Sequence, residues 1–112
     1  MAAKGMIRGS LILVALPGDY GKPRPALAVQ SSSLPLPSVV VCPLTTTIRP
    51  DIPAFRPTIE PSAANGLKIT SQVMIDKPTT VPLDRVRGVI GLADEATLGI
   101  VTAGLAVLFD LT

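Results

Sequence analysis

Apolar and polar positions along this 112-residue chain change over in short blocks punctuated by proline and glycine, a pattern of many brief strands. Ser10 to Leu16 is a β-branched and leucine run closed by the turn signal Pro17-Gly18-Asp19, which predicts a strand and then a loop reaching to Pro23. Pro25 restricts Arg24 to extended geometry, and Ala26 to Gln30 reads as the next strand. After the loop Ser31 to Pro37, the valines of Ser38 to Leu44 have the composition of a central strand buried on both faces. Phe55 to Glu60, with a proline inside, suits an edge strand, and Pro61 to Leu67 is a turn hinged on Asn65-Gly66. Ser71 to Asp76 predicts another strand, Thr79 to Val81 an extended piece after Pro78, and Val86 to Leu92 the last strand.

From Asp94 the spacing becomes helical and continues to about Phe109, with acidic side chains at the N-terminal turn and Leu98, Val101, Leu105 and Leu108 on one face. Gly99 and Gly104 weaken such a helix by roughly 1 kcal/mol each relative to alanine, so close packing against another element is expected there. The sum is a mainly β chain, one domain over 1–112. It predicts a small, strongly curved sheet or half-barrel with one C-terminal helix packed on it.

Composition adds to this picture. The chain is 47% hydrophobic, with mean hydropathy +0.51, which is more apolar side chain than a small monomer easily hides and predicts a two-fold homodimer. Neither Leu11 to Leu16 nor Gly99 to Phe109 approaches the roughly 20 residues of a bilayer span, so no transmembrane helix is expected. Lys4 and Arg8 precede a run too short for a signal-peptide core, and a cytoplasmic protein is expected. Cys42, within a β-branched run, reads as a small buried hydrophobe. Every lysine and arginine lies at or before Arg87, and Asp94, Glu95 and Asp110 are the charges beyond it, so a basic body suits a polyanion.

Absent residue types narrow the chemistry. Without histidine, no Ser/His/Asp, Cys/His or paired-histidine apparatus can form, and a lone cysteine leaves no zinc site of the usual kind. Arg, Thr, Asp, Lys and Tyr remain. Arg24 beside the second strand and the hydroxyls Thr45, Thr46 and Thr47 at the end of the third offer a fixed cation and donors suited to a phosphodiester, which points toward RNA. Thr45 suits donation to a scissile phosphate or orientation of a 2′-hydroxyl. Asp76, if partly buried and raised in pKa, suits a proton acceptor; Asp19 or Tyr20 in the loop are the alternatives, as is a reaction in which no side chain acts as a strong base. Lys22, Arg49, Arg56 and Lys77 read as solvated charges, some holding an RNA backbone, and Tyr20 suits stacking on a base. With aromatic content of 3%, recognition rests on hydrogen bonds and a narrow groove.

The order of elements and six motifs together resemble the MazF/PemK-like toxins of bacterial type II toxin–antitoxin modules. The motifs are Arg8-Gly9, Gly18 to Leu27, Val41 to Thr45, Asn65-Gly66-Leu67, Ser71 to Lys77, and Val89 to Asp94. The resemblance implies an SH3-like small β-barrel of the CcdB/PemK-like fold, acting as a homodimer. It implies a sequence-specific endoribonuclease that cuts single-stranded RNA without metal or cofactor, giving 2′,3′-cyclic phosphate and 5′-hydroxyl ends, and a cognate antitoxin that silences it. The family's catalytic arginine and threonine fall on Arg24 and Thr45, and the aspartate that some PemK-type members use as base falls on Asp76. Asp19, Tyr20, Lys22, Arg49 and Lys77 are the candidate RNA-binding residues. The chain departs from those PemK-type members at Met74, where they have arginine, and Lys77-Pro78-Thr79-Thr80 lacks the Gln-Ile-Arg-Thr of other members. Two alternatives share the fold: a CcdB-like gyrase poison and a non-catalytic SH3-like binding module. The gyrase poison relies on a C-terminal Trp-Gly-Ile, whereas this chain ends Phe109-Asp110-Leu111-Thr112 and contains no tryptophan.

Overall fold

A computed structural model of the chain describes residues 5–112; Lys4, used above in reading the N-terminus, lies outside them. The strands are β1 (Ser10–Ala15), β2 (Pro23–Ala28), β3 (Ser38–Thr45), β4 (Thr58–Ile59), β5 (Ser71–Val73), β6 (Thr79–Pro82) and β7 (Val86–Leu92), and the helix is α1 (Glu95–Leu108). Every pairing is antiparallel, in the order β4-β5-β3-β2-β1-β7, with β6 also on β3. The valine-rich β3 is the hub. Its first half pairs with β6 and its last two residues with β5, while Val41 to Pro43 pair with β2 on the other edge. Two register shifts between β1 and β7 each place an extra residue on β7, Ile90 and Arg87, and bend that strand, which curls the sheet toward a half-barrel.

Strand periodicity divides the core in two. Leu11, Leu27, Cys42, Val73 and Ile75 meet Val101 of the helix, whereas Ile12, Val14, Ala26, Ala28, Val39, Val41 and Val81 fill the other face. Leu11, Ile12 and Leu27 are wholly buried, and each such side chain stabilises the fold by roughly 1.5–3 kcal/mol on leaving water. Cys42 lies in this core, and burial, with the nearby Asp76 charge adding to it, pushes its thiol up to about 12. An aromatic disulfide reagent at neutral pH is therefore expected to modify Cys42 at least ~100-fold more slowly in the folded protein than in denaturant. Rapid labelling of the folded chain would contradict its placement.

The helix begins where the sequence predicts. Asp94 caps it by accepting the Thr97 backbone N–H at 2.7 Å, which also holds the Asp94 carboxyl below its usual range. Gly104 supplies the expected close approach, since a Cβ there would lie 3.0 Å from Ile75 and 3.2 Å from the Ala54 carbonyl. Gly99 does not, because its surroundings are open. Nor does Leu108 belong to the buried face: it is exposed, as are Ile100, Val107 and Phe109, because α1 is apolar nearly all round and only the Val101 and Gly104 side meets the sheet. Among the described residues no helix is long and apolar enough to cross a membrane.

Two predicted strands are shorter than expected. Phe55 and Arg56 donate their N–H groups to the Ile52 carbonyl and Pro57 has none to donate, so only Thr58 and Ile59 join the ladder. The strand at Ser71 stops at Val73. Beyond it Ile75 donates to Phe55 and Lys77 to Met74, which puts Asp76 in a turn.

Candidate active site at the parting of two strands

Prolines create the opening. The β2–β3 ladder runs from Ala28 opposite Val41 to Ala26 opposite Pro43 and ends there, since neither Pro25 nor Pro43 has an N–H to extend it. Beyond that point β2 stays on β1, with Arg24 opposite Val14, and β3 stays on β5, with Thr45 opposite Gln72. The parted strands, with the 17–22 loop, enclose a pocket of about 560 Å³ whose wall includes Asp19, Arg24, Thr45, Thr46, Thr47 and Lys77.

On one wall the Arg24 guanidinium lies 3.7 Å from the Asp19 carboxylate, with half of its side chain exposed. So long and solvated a contact stabilises by no more than about 1 kcal/mol, which leaves the guanidinium available to an anion. On the other wall the Thr45 hydroxyl accepts the Thr47 N–H at 3.1 Å, turning the chain sharply at the strand end and leaving its own proton to donate. Lys77 contributes a second cation from the turn after β5.

The remaining candidates lie apart from this wall. Tyr20 is fully exposed at the tip of the loop with φ 53°, and Lys22 is exposed beside it. Arg49 is engaged with Asp51 at 2.9 Å, outside the pocket. Asp76 accepts both arms of the Arg56 guanidinium, at 2.8 and 3.2 Å, and does not line the cavity. That fork holds its carboxyl below the usual carboxylate range, the opposite of the raised value expected from the sequence. Arg56, expected to be solvated, is 7% exposed.

Because folding lowers the Asp76 pKa, the stabilisation is present above the unfolded value near 4 and is lost as pH falls through the folded one. Asp76→Asn should therefore lower the urea midpoint at pH 7 and lower it less at pH 3. An equal effect at both pH values would contradict the pairing.

Sequence reasoning missed one residue that shapes the wall. Gln72 is 2% exposed; its Oε1 accepts the Arg49 N–H at 2.8 Å, and its Nε2 donates to the Arg49 carbonyl and the Thr58 hydroxyl. This amide fastens the far end of the segment that carries Thr45 to Thr47. Its sequence signal is a polar side chain between Ser71 and Val73 in a strand buried throughout.

Residues 7–109 match the model of the PemK-like, MazF-like toxins of type II toxin–antitoxin systems. The chain belongs to this family. A probable endoribonuclease MazF of Mycolicibacterium smegmatis is 41% identical over 95 residues, covering 83% of this chain and 86% of that relative. Among solved structures, the Mycobacterium tuberculosis toxin MazF-mt6 superposes with TM-score 0.76 at 27% identity over 92% of this chain and 98% of that one. An endoribonuclease in complex with its cognate antitoxin, from a mycobacterial species, gives TM-score 0.78 at 24% identity over 96% and 98%. This toxin therefore has the curled sheet and C-terminal helix of the MazF-like fold, and the gyrase-poison alternative loses its ground.

Proposed function

We infer that this toxin is an endoribonuclease that cuts single-stranded RNA at short sequences, without a metal ion or other cofactor, and so arrests translation and growth in the cytoplasm. The observation that carries the reading is the convergence of Arg24 and Thr45 from two parted strands onto one open pocket. The family membership and the probable endoribonuclease relative support it.

Attack of a 2′-hydroxyl on the adjacent phosphorus builds negative charge on the phosphoryl oxygens. Arg24 meets that charge with a planar fork that stays protonated at working pH, which suits electrostatic stabilisation. Thr45, with its proton free to donate, holds a phosphoryl oxygen from the opposite wall. Lys77 adds a second charge on the pocket wall, and Lys22, Tyr20 and Arg49, which lie off that wall, are the proposed contacts for the rest of the RNA strand.

The exposed Ile100, Val107 and Phe109 of the helix and its C-terminal end favour burial against a second copy. The cognate antitoxin, entering the same pocket with an acidic tail, would exclude RNA by charge and by bulk. Digestion of a long single-stranded RNA in EDTA, with both ends of every cut mapped, tests the reading. Cuts at one short sequence with 2′,3′-cyclic phosphate and 5′-hydroxyl ends are expected. RNA left intact by folded protein, or 5′-phosphate ends, would refute it.

A further inference from the structure

We propose that Asp19 is the proton acceptor for the attacking 2′-hydroxyl, an assignment that rests on the ribonuclease reading above. With no histidine in the chain, a side-chain acceptor has to be an oxygen or amine at the pocket. Asp19 is the carboxylate on the wall; Asp76 and Asp51 lie off it, engaged by Arg56 and Arg49. Tyr20 lies off it as well, fully exposed.

Position favours Asp19 further. Its carboxylate is 3.7 Å from Arg24 Nε, so a phosphate gripped by that guanidinium arrives next to it, and the 2′-oxygen is joined to the phosphate through the same ribose. The backbone that carries the carboxylate is fixed in a turn. The Asp19 N–H donates to Leu16 at 3.2 Å and its carbonyl accepts from Lys22 at 2.9 Å, closing the loop on either side of it. It is also the less exposed partner, at 26% against 50% for Arg24.

The step balances without a further reagent. Asp19 takes the 2′-O–H proton as the 2′-oxygen bonds to phosphorus; the bond from phosphorus to the 5′-oxygen breaks, and that oxygen takes a proton from water. The resulting hydroxide removes the proton from Asp19 and restores the carboxylate.

A different role for the same contact has opposite consequences. If Asp19 merely occupies the anion site and screens Arg24, removing its charge speeds cleavage and tightens binding. The test is single-turnover kinetics, on an RNA that the wild type cuts, for Asp19→Asn, Asp19→Ala and Arg24→Ala, with melting curves as a folding control. Loss of a positioned base predicts a fall of about 10²-fold or more in the cleavage rate constant, with apparent KM within about threefold. Added formate is expected to restore part of the rate in Asp19→Ala and none in Arg24→Ala. Asp19→Asn cutting at the wild-type rate or faster overturns the assignment, as does a raised KM with no response to formate. Wild-type protein that leaves RNA intact overturns the ribonuclease reading itself.

Discussion

Arg24→Ala is expected to lower single-turnover RNA cleavage by about two to three orders of magnitude, the usual cost of removing one preorganised donor from developing anionic charge. Folding stability should stay within about 0.5 kcal/mol of wild type, because half of the side chain is in water and its one ion pair is long. Arg24→Lys is the sharper comparison. A lysine keeps the charge but not the two-pronged geometry, so most of the loss should persist. The cleavage rate constant at saturating enzyme, with urea midpoints for each variant, checks both halves. A lysine variant that cuts like wild type would reduce Arg24 to a point charge. An alanine variant that does so would remove it from the chemistry.

Gly91→Ala is expected to damage the fold severely. A Cβ on Gly91 would lie 2.4 Å from the Ala64 carbonyl oxygen, and one on Gly66 would lie 2.1 Å from the Ile90 carbonyl oxygen. The turn at 64–66 therefore rests backbone to backbone on β7, fastened by the Leu92 N–H on the Ala64 carbonyl at 2.9 Å. Gly66 also has φ +70°, a left-handed conformation that side chains with a Cβ rarely adopt. Since backbone must move to admit the methyl group, Gly91→Ala should cost at least ~3 kcal/mol and lower the melting temperature by about 10 °C or more. Gly99→Ala is the matching control. Its surroundings are open and it sits within α1, so alanine should be neutral or stabilise by up to about 1 kcal/mol. Equal melting temperatures for Gly91→Ala and wild type would refute the contact.

Much of this architecture is legible in the sequence because local chemistry decides it. The valines of β3, the proline-flanked start of β2 and the Asp94 cap each state their conformation within a few residues. The parting of β2 from β3 is readable too, in Pro25 and Pro43, once the two strands are known to be neighbours. What local pattern cannot supply is the approach of distant segments. Arg56 and Asp76 are 20 residues apart, and nothing beside either charge announces the fork that buries one and depresses the pKa of the other. The alternation over Phe55 to Glu60 looks like a strand, but Ile52 captures its first two N–H groups. The helix misleads for another reason. Where nearly every position is apolar, spacing cannot say which face meets the sheet, so Leu108 reads as core while Gly104 takes that place.

The most direct test of where RNA is held is amide chemical-shift mapping with an RNA that carries a single 2′-deoxynucleotide at the mapped cut site, which binds and cannot be cleaved. The largest changes should fall on the backbone amides of Gly18 to Arg24, Thr45 to Thr47, and Lys77 and Thr79, and those of Gly18 to Arg24 should shrink in Arg24→Ala. Changes centred on the helix end at Val107 to Leu111, with the pocket amides unmoved, would contradict the placement of the active site between the parted strands.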